Sequence, residues 1–472
     1  MKGSESIEVV MKVLSEDAIA AMQVLCIPNM LEDSLAVSLL QNTGVANGNA
    51  SSIIKRLRSF PIWHYRTIRT WAFDDDIREY CIDKLNGSGK EIRINVLSTL
   101  REMREKFEDF IAFNINDYDL QVARLALTIE GEEPRAMRNV RAIFELADRF
   151  NESETGRVID LYLEEDIPEV EQAGKSLPEY VLNAFFMRGM YAYKKKDHKK
   201  ALKFMKPVWE KAGRHDAAIA AHIVGLIWSK RREAGKDAER AYKSSLELFA
   251  GEPRSQGSQA LVYHSLGNLL SKERNRWKEA EVAYNKSLEL FAGQPLSQAQ
   301  VYHSLGNLLS KERNRWKEAE VAYNKSLAFG KGDRQHEAQV YNDYGAFLSN
   351  VAKRWNEAEE AYNKSLELGK NDSYHKALVY HRLGDLLRKD PYRWKETENA
   401  YKQSFDLFNS LRHHEKFVKV CKSLVSFLLD DRGDYSSARK HIEFALEHER
   451  DTAYRKTLLS LLEEIDRAEN SE

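Results

Sequence analysis

The sequence predicts an almost entirely α-helical chain built as a solenoid of helical hairpins, and three observations predict it. Tyr263, Gly267, Trp277 and Tyr284 recur at a fixed step of 39 residues, as Tyr302, Tyr341 and Tyr380, Gly306, Gly345 and Gly384, Trp316, Trp355 and Trp394, and Tyr323, Tyr362 and Tyr401. Within each unit, apolar residues fall at helical spacing in VYHSLGNLLSK and again in WKEAEVAYNKSLEL, with the polar turn ERNR between them. Residues 258–288 and 297–327 differ only at Leu261 versus Gln300, the mark of a recent internal duplication. A period of this size belongs to units too small to bury their own apolar face, so they stack.

Bulk properties narrow the partners. With 72 basic against 73 acidic residues in 472, no whole-molecule field favours nucleic acid or an anionic membrane, so any electrostatic binding must be local. Cys26, Cys81 and Cys421 lie far apart without a CxxC pair, which fits reduced thiols in a cytoplasm and no zinc cluster. The first 25 residues carry acids through their apolar positions and do not read as a signal peptide. No run of 18 uninterrupted apolar residues exists, so no membrane span is expected and the predicted location is cytoplasmic.

Taken in chain order, residues 5–25 and 30–41 read as helices and GVANGNA as a loop. SSIIKRLRSF reads as a short basic helix with Ser51 or Ser52 as N-cap and Pro61 as its stop. IWHYR and IRTWAF read as two short strands, followed by the helix DDDIREYCIDKL with acids in its first turn. Helices followed by a small hairpin describe a winged-helix-like domain over residues 1–88. Residues 89–176 form a helical connector, with degenerate repeats as the alternative. The array covers residues 177–450, with 39-residue units from about 258 to 413, and residues 451–472 supply a polar-backed capping helix. Inside a unit, Gly267 and Ala280 are small where two helices cross closely, while Trp277 and Tyr284 supply bulk and belong to the core.

The places of Gly267, Trp277, Ala280 and Tyr284 resemble the tetratricopeptide repeat, in which a small residue of the first helix is followed by an aromatic, a small residue and an aromatic of the second. That resemblance implies a right-handed superhelix of seven or so hairpins whose first helices line a concave groove. The family unit is about 34 residues, so the present units carry an extra residue in the turn and four between hairpins. The order of the first 85 residues, closed by FDDDIREYC, resembles the winged-helix segment of STAND signal-transduction ATPases, a family that often places a repeat array after it. Asp74 stands where intact relatives of that family carry a nucleotide-sensing His. No GxxxxGK[ST] is present: the GSGK at Gly87–Lys90 has Lys84 in place of the first glycine and Glu91 in place of the hydroxyl. An ATPase would therefore act in trans or outside this sequence.

Two sets of candidate contact residues follow. On the first helices, His264, Asn268 and Lys272 share one face at steps of four, and their counterparts are His303, Asn307 and Lys311, then Asn342 and Asn350, then His381, Asp385 and Lys389. The resemblance places this face in the groove, where an amide offers donor and acceptor to a protein or peptide ligand. Between Ala50 and Thr70 lie Lys55, Arg56, Arg58, Arg66 and Arg69 with no acid, a patch suited to DNA or to an acidic partner. A third stripe, Arg274 and Arg276, Arg313 and Arg315, Lys353 and Arg354, and Arg393, follows the hairpin turns and reads as solvated turn chemistry. No catalytic triad, metal motif or cofactor motif emerges, so no enzyme activity, cofactor or metal is expected. The function expected is protein recognition as the sensor arm of a STAND-type signalling or antiviral system. A winged-helix DNA-binding regulator with the array as effector domain, and a passive assembly scaffold, are the alternatives.

Overall fold

Small-against-large packing decides how each hairpin closes. A Cβ built on Gly267 would lie 2.6 Å from the ring of Tyr284, and one on Gly306 would lie 3.0 Å from the ring of Tyr323. The second helix can therefore press its tyrosine flat against the backbone of the first. These relations are seen in a computed structural model of the chain. It describes residues 14–26, 33–45, 48–59, 63–65, 71–73, 80–82, 84–85, 90–106, 122–123, 125–126, 129–150, 177–312 and 314–469.

The chain divides into two compact units, Met1–Leu248 and Phe249–Glu472. The first opens with α1 (Glu16–Leu25), α2 (Asp33–Asn42) and α3 (Ala50–Leu57), followed by β1 (Trp63–Tyr65) and β2 (Trp71–Phe73). The strands pair antiparallel with Trp63 opposite Phe73 and Tyr65 opposite Trp71. Met22, Leu25, Leu39, Ile54, Leu57 and Phe73 are buried together in one core. Helix α3 begins earlier than its serines suggest: Asn49 is the N-cap, and no side chain caps it. Burying Ala50 beside Ile54 and Leu57 draws the helix start toward the core and leaves Ser51 and Ser52 exposed. Residues 66–70, 74–79 and 86–89 lie outside the described set, so Arg66, Arg69, Asp74 and most of GSGK have no structural account.

Helices α4 (Lys90–Lys106) and α5 (Glu133–Phe150) follow, then the hairpins α6 (Glu179–Lys194) with α7 (His198–Lys211) and α8 (Arg214–Trp228) with α9 (Gly235–Phe249). Arg141 of α5 ties these together. Its guanidinium donates to Asn183 Oδ1 at 2.5 Å and to both carboxylate oxygens of Asp216 at 2.5 and 2.7 Å.

The second unit holds five hairpins. They are α10 (Gln256–Leu270) with α11 (Trp277–Leu290), α12 (Pro295–Leu309) with α13 (Trp316–Phe329), α14 (Arg334–Phe347) with α15 (Trp355–Leu368), α16 (Ser373–Leu387) with α17 (Trp394–Ser410), and α18 (His414–Ser426) with α19 (Tyr435–His448). Helix α20 (Thr452–Glu469) packs on the last of them. In the first four of these hairpins a buried serine of the second helix donates to a carbonyl of the first: Ser287 to Ala260 at 2.7 Å, Ser326 to Ala299 and Ser365 to Ala338 at 2.8 Å, and Ser404 to Ala377 at 2.7 Å. The architecture is an all-α, tetratricopeptide-like stack of helical hairpins. Among the described residues no helix is long and apolar enough to cross a membrane.

The recurring tyrosines are core, with Tyr284, Tyr323, Tyr362 and Tyr401 1–2% exposed. The recurring tryptophans depart from expectation: Trp316 is 36% and Trp355 48% exposed. Each tryptophan opens a second helix directly after the turn, and Trp277 and Trp394 are partly buried there.

Candidate functional site

In the second unit the first helices contact one another along the stack, α12 on α14 and α14 on α16. The predicted contact residues stand on these first helices, and the structure shows what each of them touches.

The first position of the ladder reaches to the next unit. His264 Nε2 lies 2.8 Å from Ser304 Oγ, His303 Nε2 lies 3.0 Å from Asp343 Oδ2, and His381 Nε2 lies 2.9 Å from Ser423 Oγ. In the third unit the direction reverses: Arg382 donates to the Asn342 carbonyl at 3.2 Å and to Asp343 at 2.7 Å. Asn342 itself is 6% exposed, and its Oδ1 is buried without a hydrogen-bond partner. Burial pushes the His264 imidazole down to about 4 and lowers His381 as well. Burial works to raise the Asp343 carboxyl, but the bond from His303 and the charge of Arg382 outweigh it and hold the group well below the usual carboxylate range.

The second position turns inward to the same hairpin. Tyr284 donates to Asn268 Oδ1 at 2.8 Å, Tyr323 to Asn307 Oδ1 at 2.6 Å, and Tyr401 to Asp385 Oδ1 at 2.8 Å. Asn307 also donates to Asp343 at 3.2 Å. Burial pushes the Tyr284 hydroxyl up to about 12, so it remains a donor. An amide whose oxygen is held in this way still presents N–H groups, and Asn268 is exposed.

The third position reaches back to the preceding unit. Lys311 Nζ donates to the Ser271 carbonyl at 3.3 Å and stands 6.0 Å from the Trp277 ring centroid. Lys389 Nζ donates to Ser349 Oγ at 2.7 Å and stands 5.7 Å from Trp355. Asn350 is exposed in the matching place of the third unit. Cation–π contact and hydrogen bonding thus cover one face of two tryptophans, which accounts for their half-burial.

Three features here were hidden from sequence reasoning. The residue after the first ladder position in the later units, Ser304, Asp343 or Arg382, is a partner that links units; its change of chemistry at a position of otherwise constant pattern was the available signal. The tyrosine hydroxyls occupy amides read as free. The basic stripe along the turns is clamped: Arg315 bonds Glu281 at 2.6 Å and Glu318 at 2.5 Å, Arg354 bonds Glu320 at 2.7 Å and also Glu357, and Arg393 bonds Glu359 at 2.6 Å and also Glu396. With two carboxylates around each guanidinium, these three rungs offer nothing to a polyanion. Arg313 lies outside the described residues. In the first unit, Lys55 and Arg56 are exposed on α3 and Arg58 is its partly buried C-cap.

No family model matches this chain, and no curated protein matches it. Among solved structures it is similar to a signal transduction ATPase with numerous domains carrying a tetratricopeptide repeat sensor, from Pyrococcus horikoshii. The identity is 15%, the TM-score 0.44, and the match covers 98% of this chain but 64% of that protein's length. It is also similar to a Rap protein complexed with competence and sporulation factor, at 14% identity and TM-score 0.40, over 75% of this chain and 97% of the other. A human IFIT1 dimer with PPP-AAAA matches at 13% identity and TM-score 0.38, over 88% and 95%. All three TM-scores fall below 0.5, and the functional assignment rests on this chain's own residues.

Proposed function

We propose that the chain is a protein-recognition module that takes a protein or peptide along the first-helix face of its second unit. The observation that carries this is the three-position polar ladder repeated along the first helices. An extended ligand laid along them meets amide, imidazole and ammonium groups at a regular interval, and several units contribute to one binding event. Because the ladder also links unit to unit, a ligand engaging it biases the angle between hairpins, which is the physical means of transmission. In this reading the array is the sensor arm of a STAND-type signalling or antiviral system, with an ATPase in trans, and the chain itself is not an enzyme. Burial, which pushes the Cys421 thiol up to about 12, supports the absence of a thiol nucleophile there.

The test must separate binding from folding, since Asn268 supports Tyr284. Asn268→Asp keeps the acceptor, as Asp385 does for Tyr401, but removes the N–H donors. Combined with Asn350→Asp at an exposed position, it is expected to leave the melting temperature within about 2 °C of wild type. Partners captured from extract of the source cell and identified by mass spectrometry should lose affinity about tenfold or more toward the double variant. Unchanged affinity removes the groove assignment.

One observation favours a second reading. The order helix, helix, helix, β-hairpin with Lys55 and Arg56 outward on α3 is that of a winged helix presenting a basic recognition helix. A mobility shift with duplex DNA that weakens steeply with salt would support it; no shift at low salt removes it.

A further inference from the structure

The turn from α17 to α18 and the end of α19 border a partly open cavity of about 700 Å³, a volume suited to a small molecule. Phe408 and Phe417 form its apolar wall, and Arg412, His413, His448 and Arg450 its polar one. Its formal charges are Arg412 and Arg450 against Glu447 and Glu449, and they differ in how they are held. Glu449, 1% exposed, is committed to His414 Nδ1 at 2.9 Å and to the Asp451 N–H at 2.8 Å. Arg412 and Arg450 have no acidic partner among the described residues, which leaves Glu447 as the one uncommitted carboxylate on the lining.

His413 adds an independent sign. In two sister hairpins the residue before the first helix, α14 or α16, is an aspartate whose carboxylate caps it: Asp333 accepts from the His336 N–H at 3.0 Å, and Asp372 from the His375 N–H at 2.9 Å. At α18 that place is held by His413, which makes no side-chain cap bond. Its ring lies beside Tyr374 and Phe408, and its Nδ1 is buried with no hydrogen-bond partner. Where α14 and α16 carry a capping carboxylate, α18 carries an imidazole, at a helix start whose N–H groups favour negative charge. The preceding residue, Arg412, holds φ 52°, where Gly293 and Gly332 stand at 80° and 100° in sister turns. An arginine is thus kept at the rim where glycine would be easier.

We propose that this cavity binds a small organic anion, a phosphate or carboxylate. Its charged group would lie at the start of α18 between Arg412 and Arg450, and its apolar body against Phe408 and Phe417. The site is separate from the first-helix groove and stands or falls without it. The test is calorimetric titration and thermal shift of the full chain with phenyl phosphate, benzoate and, as neutral control, benzyl alcohol. Saturable binding and a raised melting temperature are expected with at least one anion and not with the alcohol; the anion that binds identifies the charged group. Two variants keep the fold while changing the site. His413→Asp introduces the cap that α14 and α16 use, and Arg412→Gly suits the left-handed backbone, so both should melt at or above the wild-type temperature. Each should weaken the anion about tenfold or more. Absence of binding by both anions, or wild-type affinity in both variants, overturns the proposal.

Discussion

At the scale of single residues, the same contacts repeat with small differences, and those differences make predictions. Gly267→Ala places a methyl 2.6 Å from the Tyr284 ring, whereas Gly306→Ala places one 3.0 Å from Tyr323. Alanine gains about 1 kcal/mol of helix propensity at either site, against an overpacking cost of about 1–3 kcal/mol. Denaturant melts should show Gly267→Ala the more destabilising; equal effects would mean the rings yield freely. Ser287→Ala removes one buried hydrogen bond, at a cost of about 1 kcal/mol. Ser326→Ala removes the same bond and also the contact to His336 Nε2 at 2.9 Å, so it should cost more. The glycine, the tyrosine and the serine were all legible as recurrences. Their pairing was not, because periodicity reports that two positions covary in step without saying which atoms meet. The tryptophans show the same limit: Trp355 recurs as faithfully as Tyr362, yet one is half exposed and the other buried.

At the scale of elements, the hairpins are joined by two seams, the polar ladder on the first helices and the arginine clamps on the second. Arg354→Gln breaks a clamp between α13 and α15 with side chains about a quarter to a half exposed, so the loss should be modest, on the order of 0.5–1 kcal/mol, and should shrink in high salt. The first seam is sensitive to acid. His264 titrates near 4 in the folded chain against an ordinary value of 6.5, so the unfolded chain binds its proton first. The stability from this group is fully present above pH 6.5 and is lost as pH falls toward 4, with an upper bound of about 3 kcal/mol. Melting temperature should decline over that window, and His264→Gln should flatten the decline; an unchanged slope would place the acid sensitivity elsewhere. Elements themselves were well read where the period was strong. The start of α3 was misplaced because the burial of Ala50, a tertiary effect, set the boundary rather than the capping preference of serine.

At the scale of the molecule, a stack in which each hairpin touches its neighbours should tolerate loss of one repeat. Deleting residues 289–327 joins Leu288 to Ala328 in register, because Leu288 and Leu327 are equivalent. The product should keep its helical circular dichroism and show a smaller denaturant m-value; loss of helicity would contradict a modular stack. The stacked architecture was legible from a 39-residue step alone. The first-helix face was named from the resemblance, but the sequence could not show that its side chains already serve as links between units, since each bond joins residues about 40 apart whose meeting depends on the pitch of the stack.

That double use is the central point: the face proposed to bind a partner is the face whose side chains link hairpin to hairpin. Hydrogen exchange of the chain, alone and saturated with its captured partner, measures this most directly. Slowed exchange along α10, α12, α14 and α16, with the outer faces of α11, α13 and α15 unchanged, is the predicted result. Protection confined to the outer helices or to the first unit, with the first-helix face left as it was, would contradict it.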